Sequence, residues 1–109
     1  MIFGLDERIY ADFARIFARY PAVVQVLIFG SRARDTWKPG SDIDLAVVAP
    51  GMSDLEFARL WNELDELPLV FKLDVVHLDR LNQAGLRGRI LAEGRVFCAP
   101  GVNLAKAAV

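Results

Sequence analysis

The chain has 109 residues, of which 54% are hydrophobic and 25% are charged, and its formal net charge is −1. This size and this balance are typical of one compact domain, and they exclude a disordered chain or two separate cores. The near-neutral charge excludes a broad cationic surface that holds nucleic acid through its phosphates, so any phosphate binding has to be local.

Cysteine content and the first residues of the chain bear on the cellular compartment. Cys98 is the only cysteine, so the chain cannot build the disulfide framework that small secreted domains use. Charged residues begin at Asp6, which leaves no room for a signal peptide, and no apolar run is long enough to span a bilayer. These features predict a cytoplasmic protein without a membrane partner.

The first predicted elements are a helix, a strand and a short helix. Apolar residues recur at helical spacing over Asp6–Tyr20, and Pro21 ends this amphipathic pattern. The β-branched run Val23–Phe29 predicts a strand that is covered on both faces. Ser31–Arg34 can begin a short helix with Ser31 as its cap.

Helices and strands continue to alternate in the rest of the chain. Ser53 or Asp54 can cap a helix that ends before Pro68. The residues of this helix that are predicted to face inward are Leu55, Phe57, Leu60, Trp61, Leu64 and Leu67. The other predicted elements are strands at Asp42–Val48 and Leu69–His77, a helix at Leu78–Glu93 and a short strand at Val96–Cys98.

This order of elements predicts an α/β (α+β) fold in which helices pack on a small mixed β-sheet of three to four strands. We expect the domain to cover residues 1–99. Residues 100–109 are small, aperiodic and poor in polar groups, which predicts a frayed C-terminal tail.

The most informative stretch of the sequence runs from Phe29 to Val48. Residues two apart on a strand point to the same side, so Asp42 and Asp44 are expected on one face and Ile43 on the other. Two ionised carboxylates on a partly buried sheet repel each other, and their burial is unfavourable unless a cation neutralises them. A hard divalent ion such as Mg²⁺ fits, because it takes oxygen ligands from carboxylates, water and substrate phosphate.

Asp74 is a candidate for a third ligand. It lies in an apolar run on another predicted strand, where an unpaired carboxylate is costly. The alternative is a surface carboxylate on a half-exposed strand that simply pairs with Lys72.

Gly30 and Ser31 are candidates for a phosphate-binding turn. A glycine at the end of a strand lets the backbone approach phosphate, and the helix start that follows presents free N–H donors. Arg32 and Arg34 flank this turn and can pair with phosphate oxygens, although a solvated helix face explains these two arginines equally well.

Taken together, these residues resemble a known family, the minimal nucleotidyltransferases of the DNA polymerase β-like superfamily. The pattern of that superfamily is an apolar residue, Gly, then Gly or Ser, a gap of about ten residues, and Asp, apolar, Asp, apolar. Phe29–Ser31 and Asp42–Leu45 fit this pattern, and Asp74 in KLDVVHLD resembles the third carboxylate on the next strand. The closing LRGRILAEGRVFC also resembles the end of family members.

The resemblance implies a metal-dependent nucleotidyltransferase with the polymerase β-like fold and ATP as its expected substrate. The reaction would be attack on the α-phosphate with release of pyrophosphate. The residues expected to hold two Mg²⁺ ions and to act in catalysis are Asp42, Asp44 and Asp74, the last also as an acceptor of the nucleophile's proton. The expected nucleotide-binding residues are Gly30, Ser31, Arg32 and Arg34.

The resemblance also implies a partner. Minimal members of the family often work with a small all-helical HEPN-domain protein in a toxin–antitoxin pair. In that reading the chain is the antitoxin and transfers AMP to a hydroxyl, such as that of a tyrosine, on the HEPN partner. Formation of a homo-oligomer is left open, and an extensive nucleic-acid surface is not expected.

Two alternatives stay open at this point. Asp35 stands where relatives usually have glycine, and its negative charge beside the phosphate site is compatible with a non-catalytic antitoxin that acts by complex formation. The other alternative is nucleotidyl transfer to a small molecule or to an RNA end. That reaction calls for an added helical substrate domain, for which 109 residues leave no room.

Overall fold

The computed structural model describes residues 2–100, and residues 101–109 of the predicted tail lie outside this range. Its helices are α1 (Glu7–Ala18), α2 (Asp54–Asp65) and α3 (Ala84–Glu93). Its strands are β1 (Gln25–Phe29), β2 (Ile43–Val48), β3 (Leu73–His77) and β4 (Arg95–Cys98). Two short 3₁₀ turns cover Gly30–Arg32 and Leu78–Arg80.

The strands form one mixed sheet in the order β3-β2-β1-β4. β1 is antiparallel to both β2 and β4, whereas β2 and β3 run parallel. A parallel pair needs a crossover connection, and α2 supplies it between β2 and β3. The α/β fold with a small mixed sheet is thereby confirmed.

Both faces of the sheet are covered by helices. On one face α1 and α2 enclose the larger core, which includes Phe13, Phe17, Ile28, Leu45, Leu60 and Leu64. On the other face α3 covers a smaller cluster of Phe29, Ala46, Leu78 and Ile90. Because side chains alternate along a strand, Asp44 lies on the same face as Ala46, which is the α3 side.

The two longer helices begin with side-chain caps, of which the sequence predicts the one at Ser53. The carboxylate of Asp6 accepts a hydrogen bond of 2.7 Å from the N–H of Arg8, and Ser53 and Glu56 form a reciprocal capping box at the start of α2. The prediction that Leu55 faces inward is wrong, because this side chain is 63% exposed. It lies five residues before Leu60, which places it about 140° away around the helix.

Several predicted boundaries differ in the structure. β1 begins at Gln25 and not at Val23, and β2 begins at Ile43, so Asp42 precedes the strand on which it is predicted to lie. The third strand begins at Leu73 and not at Leu69, because its neighbour β2 begins at Ile43, the register partner of Leu73. The helix predicted over Leu78–Glu93 is split into a 3₁₀ turn and α3. The carboxylate of Asp79 in that turn accepts the N–H of Ala49 at 2.7 Å, so the turn is tied to the end of β2 and does not continue as a helix.

Within residues 2–100, every helix is too short or too polar to cross a lipid bilayer.

Candidate active site

Asp44 and Asp74 are direct neighbours in the sheet. They are register partners on the parallel strands β2 and β3, and Asp44 is paired on its other side with Phe29 at the end of β1. Side chains of register partners point to the same face of a sheet, so the two carboxylates share the α3 side. The alternation predicted for β2 is observed as well, because Ile43 is fully buried on the opposite face.

Three negative charges meet at Asp44. Burial raises the pKa of this carboxyl group, and the charges of Asp74 and then Asp42 raise it further. Lys72 and Arg34 act in the opposite direction. Among the residues that the structure describes, no Lys, Arg or His nitrogen lies within 4.0 Å of these three carboxylates. Asp44 is therefore a half-buried acid whose neighbouring charges are only partly balanced.

Gly30 lies directly against Asp44. Its backbone has φ +74°, a conformation that L side chains rarely adopt, and a Cβ atom at this position would stand 2.5 Å from Oδ2 of Asp44. A residue with a side chain would push the carboxylate out of its place. The turn after β1 thus requires glycine both for its own conformation and for the position of the acid beside it.

The turn after β1 differs in detail from the sequence-based expectation. Ser31 lies within the 3₁₀ turn and does not cap it, because the cap position belongs to Phe29. The carbonyl of Gly30 accepts bonds from the N–H groups of Ala33 and Arg34, each at 3.2 Å. The turn is therefore closed by its own backbone, and the hydroxyl of Ser31 is not used as a cap.

The two predicted phosphate-binding arginines differ in their surroundings. Arg34 is exposed, with Nη1 3.7 Å from Oε2 of Glu93, and its charge reaches Asp44. Arg32 is 1% exposed, and its guanidinium donates to the main-chain carbonyls of Phe3 at 3.0 Å and Ser41 at 2.8 Å. The donors of Arg32 are therefore directed to main-chain carbonyls, whereas those of Arg34 lie at the surface.

The sequence indicates that the negative charge of Asp35 is unfavourable for nucleotide binding. In the structure the carboxylate of Asp35 is paired with an arginine of β4. Its Oδ2 lies 3.7 Å from Nη1 of Arg95 on β4, and it is not among the charges that shift the pKa of Asp44. The residue adopts φ +59°, a conformation that glycine adopts without strain and that is uncommon for residues with a side chain. The observation that motivated a non-catalytic reading of the chain is thus weakened.

The carboxylates suit a divalent cation in their chemistry but do not form a closed cage. Within residues 2–100, no three His, Cys, Asp or Glu side chains are drawn together tightly enough to hold a metal ion by themselves. Mg²⁺ does not need such a cage, since it is commonly bound by one or two carboxylates, water and substrate phosphates. The pair of Asp44 and Asp74, with Asp42 close by, fits that requirement.

One further set of contacts, which the sequence patterns do not predict, lies at the end of β2 away from Asp44. Ala49, just after β2, is held from both sides: its N–H donates to Asp79, and its carbonyl lies 2.8 Å from Nε2 of the buried His77. His77 also stacks on Phe57, with ring centroids 5.2 Å apart. These contacts fix β3 to the end of β2, and so help to keep the register that pairs the two acids.

The fold and the site define a class of nucleotide-transferring proteins, and comparison with known proteins gives the family. The model of the family "Polymerase beta, Nucleotidyltransferase" matches residues 12–100. The chain therefore belongs to the polymerase β nucleotidyltransferase family, and it is a nucleotidyltransferase by that membership. A search of curated proteins gave no match.

Two solved structures share the fold. One is a toxin–antitoxin crystallised with AMP-PNP, with a TM-score of 0.64 and 23% sequence identity, covering 95% of this chain and 80% of the other. The second is the toxin–antitoxin MntA–HpeT in a form with two Asp-to-Glu substitutions, with a TM-score of 0.62, 20% identity and the same coverage of 95% and 80%. At these identities the likeness establishes the fold alone.

Proposed function

We propose that the chain is a Mg²⁺-dependent nucleotidyltransferase that transfers AMP from ATP to a hydroxyl group of a helical HEPN-type toxin, and thus acts as an antitoxin. The observation that carries this proposal is the pairing of Asp44 with Asp74 beside Gly30. This pairing joins carboxylates suited to a divalent ion to a turn suited to phosphate.

Each residue has a role in the proposed reaction. Mg²⁺ would be held by Asp42, Asp44 and Asp74. When it is bound, its positive charge offsets the negative charge of the phosphates. The turn at Gly30 and Ser31 receives the triphosphate. Arg34 adds a charge-assisted hydrogen bond to the triphosphate, because this side chain is exposed and its charge acts on the neighbouring Asp44.

The transfer step follows from this placement. The acceptor hydroxyl oxygen bonds to the α-phosphorus, the bond from that phosphorus to its bridging oxygen breaks, and pyrophosphate leaves. Asp74, which is exposed as Asp42 also is, takes the proton of the hydroxyl. In such a reaction the protein lowers the barrier mainly by holding the attacking and leaving oxygens in line.

The similarity to toxin–antitoxin structures supports the choice of acceptor. One of these neighbours was crystallised with AMP-PNP, an analogue of ATP. In the other, two aspartates two positions apart were replaced, and the same spacing separates Asp42 from Asp44 here.

Labelled ATP tests the proposal. The protein is incubated with Mg²⁺ and the product of the adjacent reading frame, once with ATP labelled at the α-phosphate and once with ATP labelled at the γ-phosphate. Nucleotidyl transfer places the α-label and not the γ-label on the neighbour, and Asp44→Asn abolishes it. Label from the γ-position indicates phosphoryl transfer instead, and absence of both labels with tight complex formation favours the non-catalytic antitoxin.

A further inference from the structure

Arg32 is a buried cation, and no carboxylate of residues 2–100 forms an ion pair with it. The residue is 1% exposed, and its guanidinium is held by main-chain carbonyl groups and aromatic rings. Burial lowers the pKa of Arg32, and the nearby charge of Asp42 acts in the opposite direction. A buried guanidinium is costly unless its donors are satisfied, so this arrangement has to serve the structure around it.

The hydrogen bonds of Arg32 lead to the start of β2. Nε lies 3.3 Å from the carbonyl oxygens of both Ser41 and Asp42, and Nη2 donates to Ser41 at 2.8 Å. These carbonyls belong to the residues at which the chain enters the strand that carries Asp44. The guanidinium thereby fixes the main chain of Asp42, which precedes β2 and has no strand partner of its own.

Aromatic rings hold the guanidinium itself. The Cζ atom of Arg32 lies 4.9 Å from the ring centroid of Phe71, which precedes β3. It lies 5.9 Å from the ring of Trp37, which is in the loop between β1 and β2. Arg32 therefore connects the approach to β3, which carries Asp74, with the approach to β2.

The N-terminal turn completes this arrangement. Ile2 and Leu5 exchange backbone hydrogen bonds of 2.9 and 2.8 Å, and the carbonyl of Phe3 within this turn accepts from Nη1 of Arg32. Gly4 has φ +75°, and a Cβ atom there would stand 2.6 Å from the ring of Trp37 and 2.9 Å from Nη1 of Arg32. The turn thus fits closely around the guanidinium.

We propose that Arg32 is a positioning residue of the active site, which holds the main chain of Asp42 against the N-terminal turn Ile2–Leu5 and so sets the position of the Asp42 carboxylate. This inference rests on the proposed function of the three acids. In this role Arg32 touches no reacting group. A lysine cannot replace it, because a single ammonium group cannot donate at the same time to carbonyls that lie on two sides of the planar guanidinium.

The response of the reaction to Mg²⁺ distinguishes positioning from general support of the fold. Transfer from α-labelled ATP is measured against Mg²⁺ concentration for the wild type, Arg32→Lys, Arg32→Met and Gly4→Ala, at a temperature where circular dichroism shows each to be folded. Ile16→Ala is the control, since it truncates a buried core side chain of α1, away from the residues that bond to or stack on Arg32. We expect the Arg32 variants to need about tenfold more Mg²⁺ and to lose about tenfold or more in kcat. Ile16→Ala is expected to keep the wild-type Mg²⁺ response.

A second measurement does not depend on catalysis. Hydrogen exchange is followed at the amides of Ser41 and Ile43, whose N–H groups bond to Lys38 and Lys72. We expect Arg32→Met to speed this exchange by about tenfold. Gly4→Ala, which displaces the guanidinium from the N-terminal turn, should have the same effect, while the amide of Val26 in β1 is unaffected.

Each outcome bears on one of the two proposals. Inactivity of the wild type overturns the proposed function, and the exchange data then decide whether Arg32 holds the loop. An active wild type together with a folded Arg32→Met that has normal Mg²⁺ response and normal exchange overturns the positioning role. If the Arg32 variants do not fold, Gly4→Ala alone makes the same distinction.

Discussion

Gly30 and Asp44 are in contact at the point where β1 ends and β2 begins, so closely that a Cβ atom on residue 30 would stand 2.5 Å from the carboxylate oxygen. The atom it would meet is the end of a side chain that can rotate. A side chain at residue 30 would therefore change the orientation of the Asp44 carboxylate more than it would change the stability of the fold.

Gly30→Ala is expected to separate activity from stability. Alanine at positive φ costs about 1–2 kcal/mol, and the added methyl group turns the Asp44 carboxylate away from Asp74. We expect a loss of about 100-fold or more in the transfer rate. Gly40→Ala is the matched control, because Gly40 has φ +86° and nothing within 4 Å of its Cβ position. Equal losses of activity in the two variants, measured beside their unfolding curves, would contradict the role given to the contact.

Asp44→Asn is expected to stabilise the metal-free protein while it abolishes transfer. The folded protein raises the pKa of Asp44 through burial and the charges of Asp74 and Asp42, so ionisation of this group opposes folding. The wild type loses stability as the pH rises through the pKa of Asp44. The advantage of the variant is therefore smallest in acid, where Asp44 is protonated in both the folded and the unfolded protein, and it grows as the pH rises through the pKa of Asp44 toward neutrality.

Thermal unfolding at several pH values measures this difference. Mg²⁺ with AMP-PNP provides the internal control, since it should raise the melting temperature of the wild type and leave Asp44→Asn unchanged. A variant that is less stable than the wild type at neutral pH without metal would show that the carboxylate is a net support of the fold.

Arg34→Ala is expected to weaken nucleotide binding with little effect on stability. Loss of one charge-assisted hydrogen bond to phosphate corresponds to about a tenfold rise in the KM for ATP. Arg89→Ala, on the exposed side of α3, is the control for the loss of an arginine. Steady-state kinetics with unchanged KM in Arg34→Ala would remove this residue from the nucleotide site.

Ser53→Ala tests the fold apart from the site. Ser53 and Glu56 form the capping box of α2, and removal of the hydroxyl should lower the free energy of unfolding by about 1 kcal/mol. Because α2 packs on the face opposite Asp44, we expect the transfer rate of the folded variant to match the wild type. Urea unfolding and the labelled-ATP assay give the two values, and a large loss of rate would mean that α2 takes part in the site.

The sequence predicts those parts of the fold that depend on local signals. The cap of α2, the strand that carries Asp44, and the mixed sheet follow from periodicity and from residues at a helix start. The start of β3 at Leu73 could not be predicted in this way, because it is set by where the neighbouring strand begins. The split before α3 likewise depends on a bond between Asp79 and Ala49, thirty residues apart.

The candidate site shows the same division. The spacing of Gly30, Ser31, Asp42 and Asp44 is a local pattern, and Asp74 could be proposed from its unusual place in an apolar run. The role of Arg32 could not be predicted, since its partners come from residues 3, 41 and 42 and its aromatic neighbours from residues 37 and 71. A flanking arginine next to a phosphate turn suggests phosphate contact, and only the tertiary structure shows that it is buried.

The central claim is that Asp44 and Asp74 act on the same divalent ion, and calorimetric titration with AMP-PNP in the presence and absence of Mg²⁺ tests it most directly. For the wild type we expect Mg²⁺ to strengthen binding by at least about tenfold. Asp44→Asn and Asp74→Asn should each remove this effect, and the double variant should lose no more than either single one. Full retention of the Mg²⁺ effect in Asp74→Asn would contradict the account.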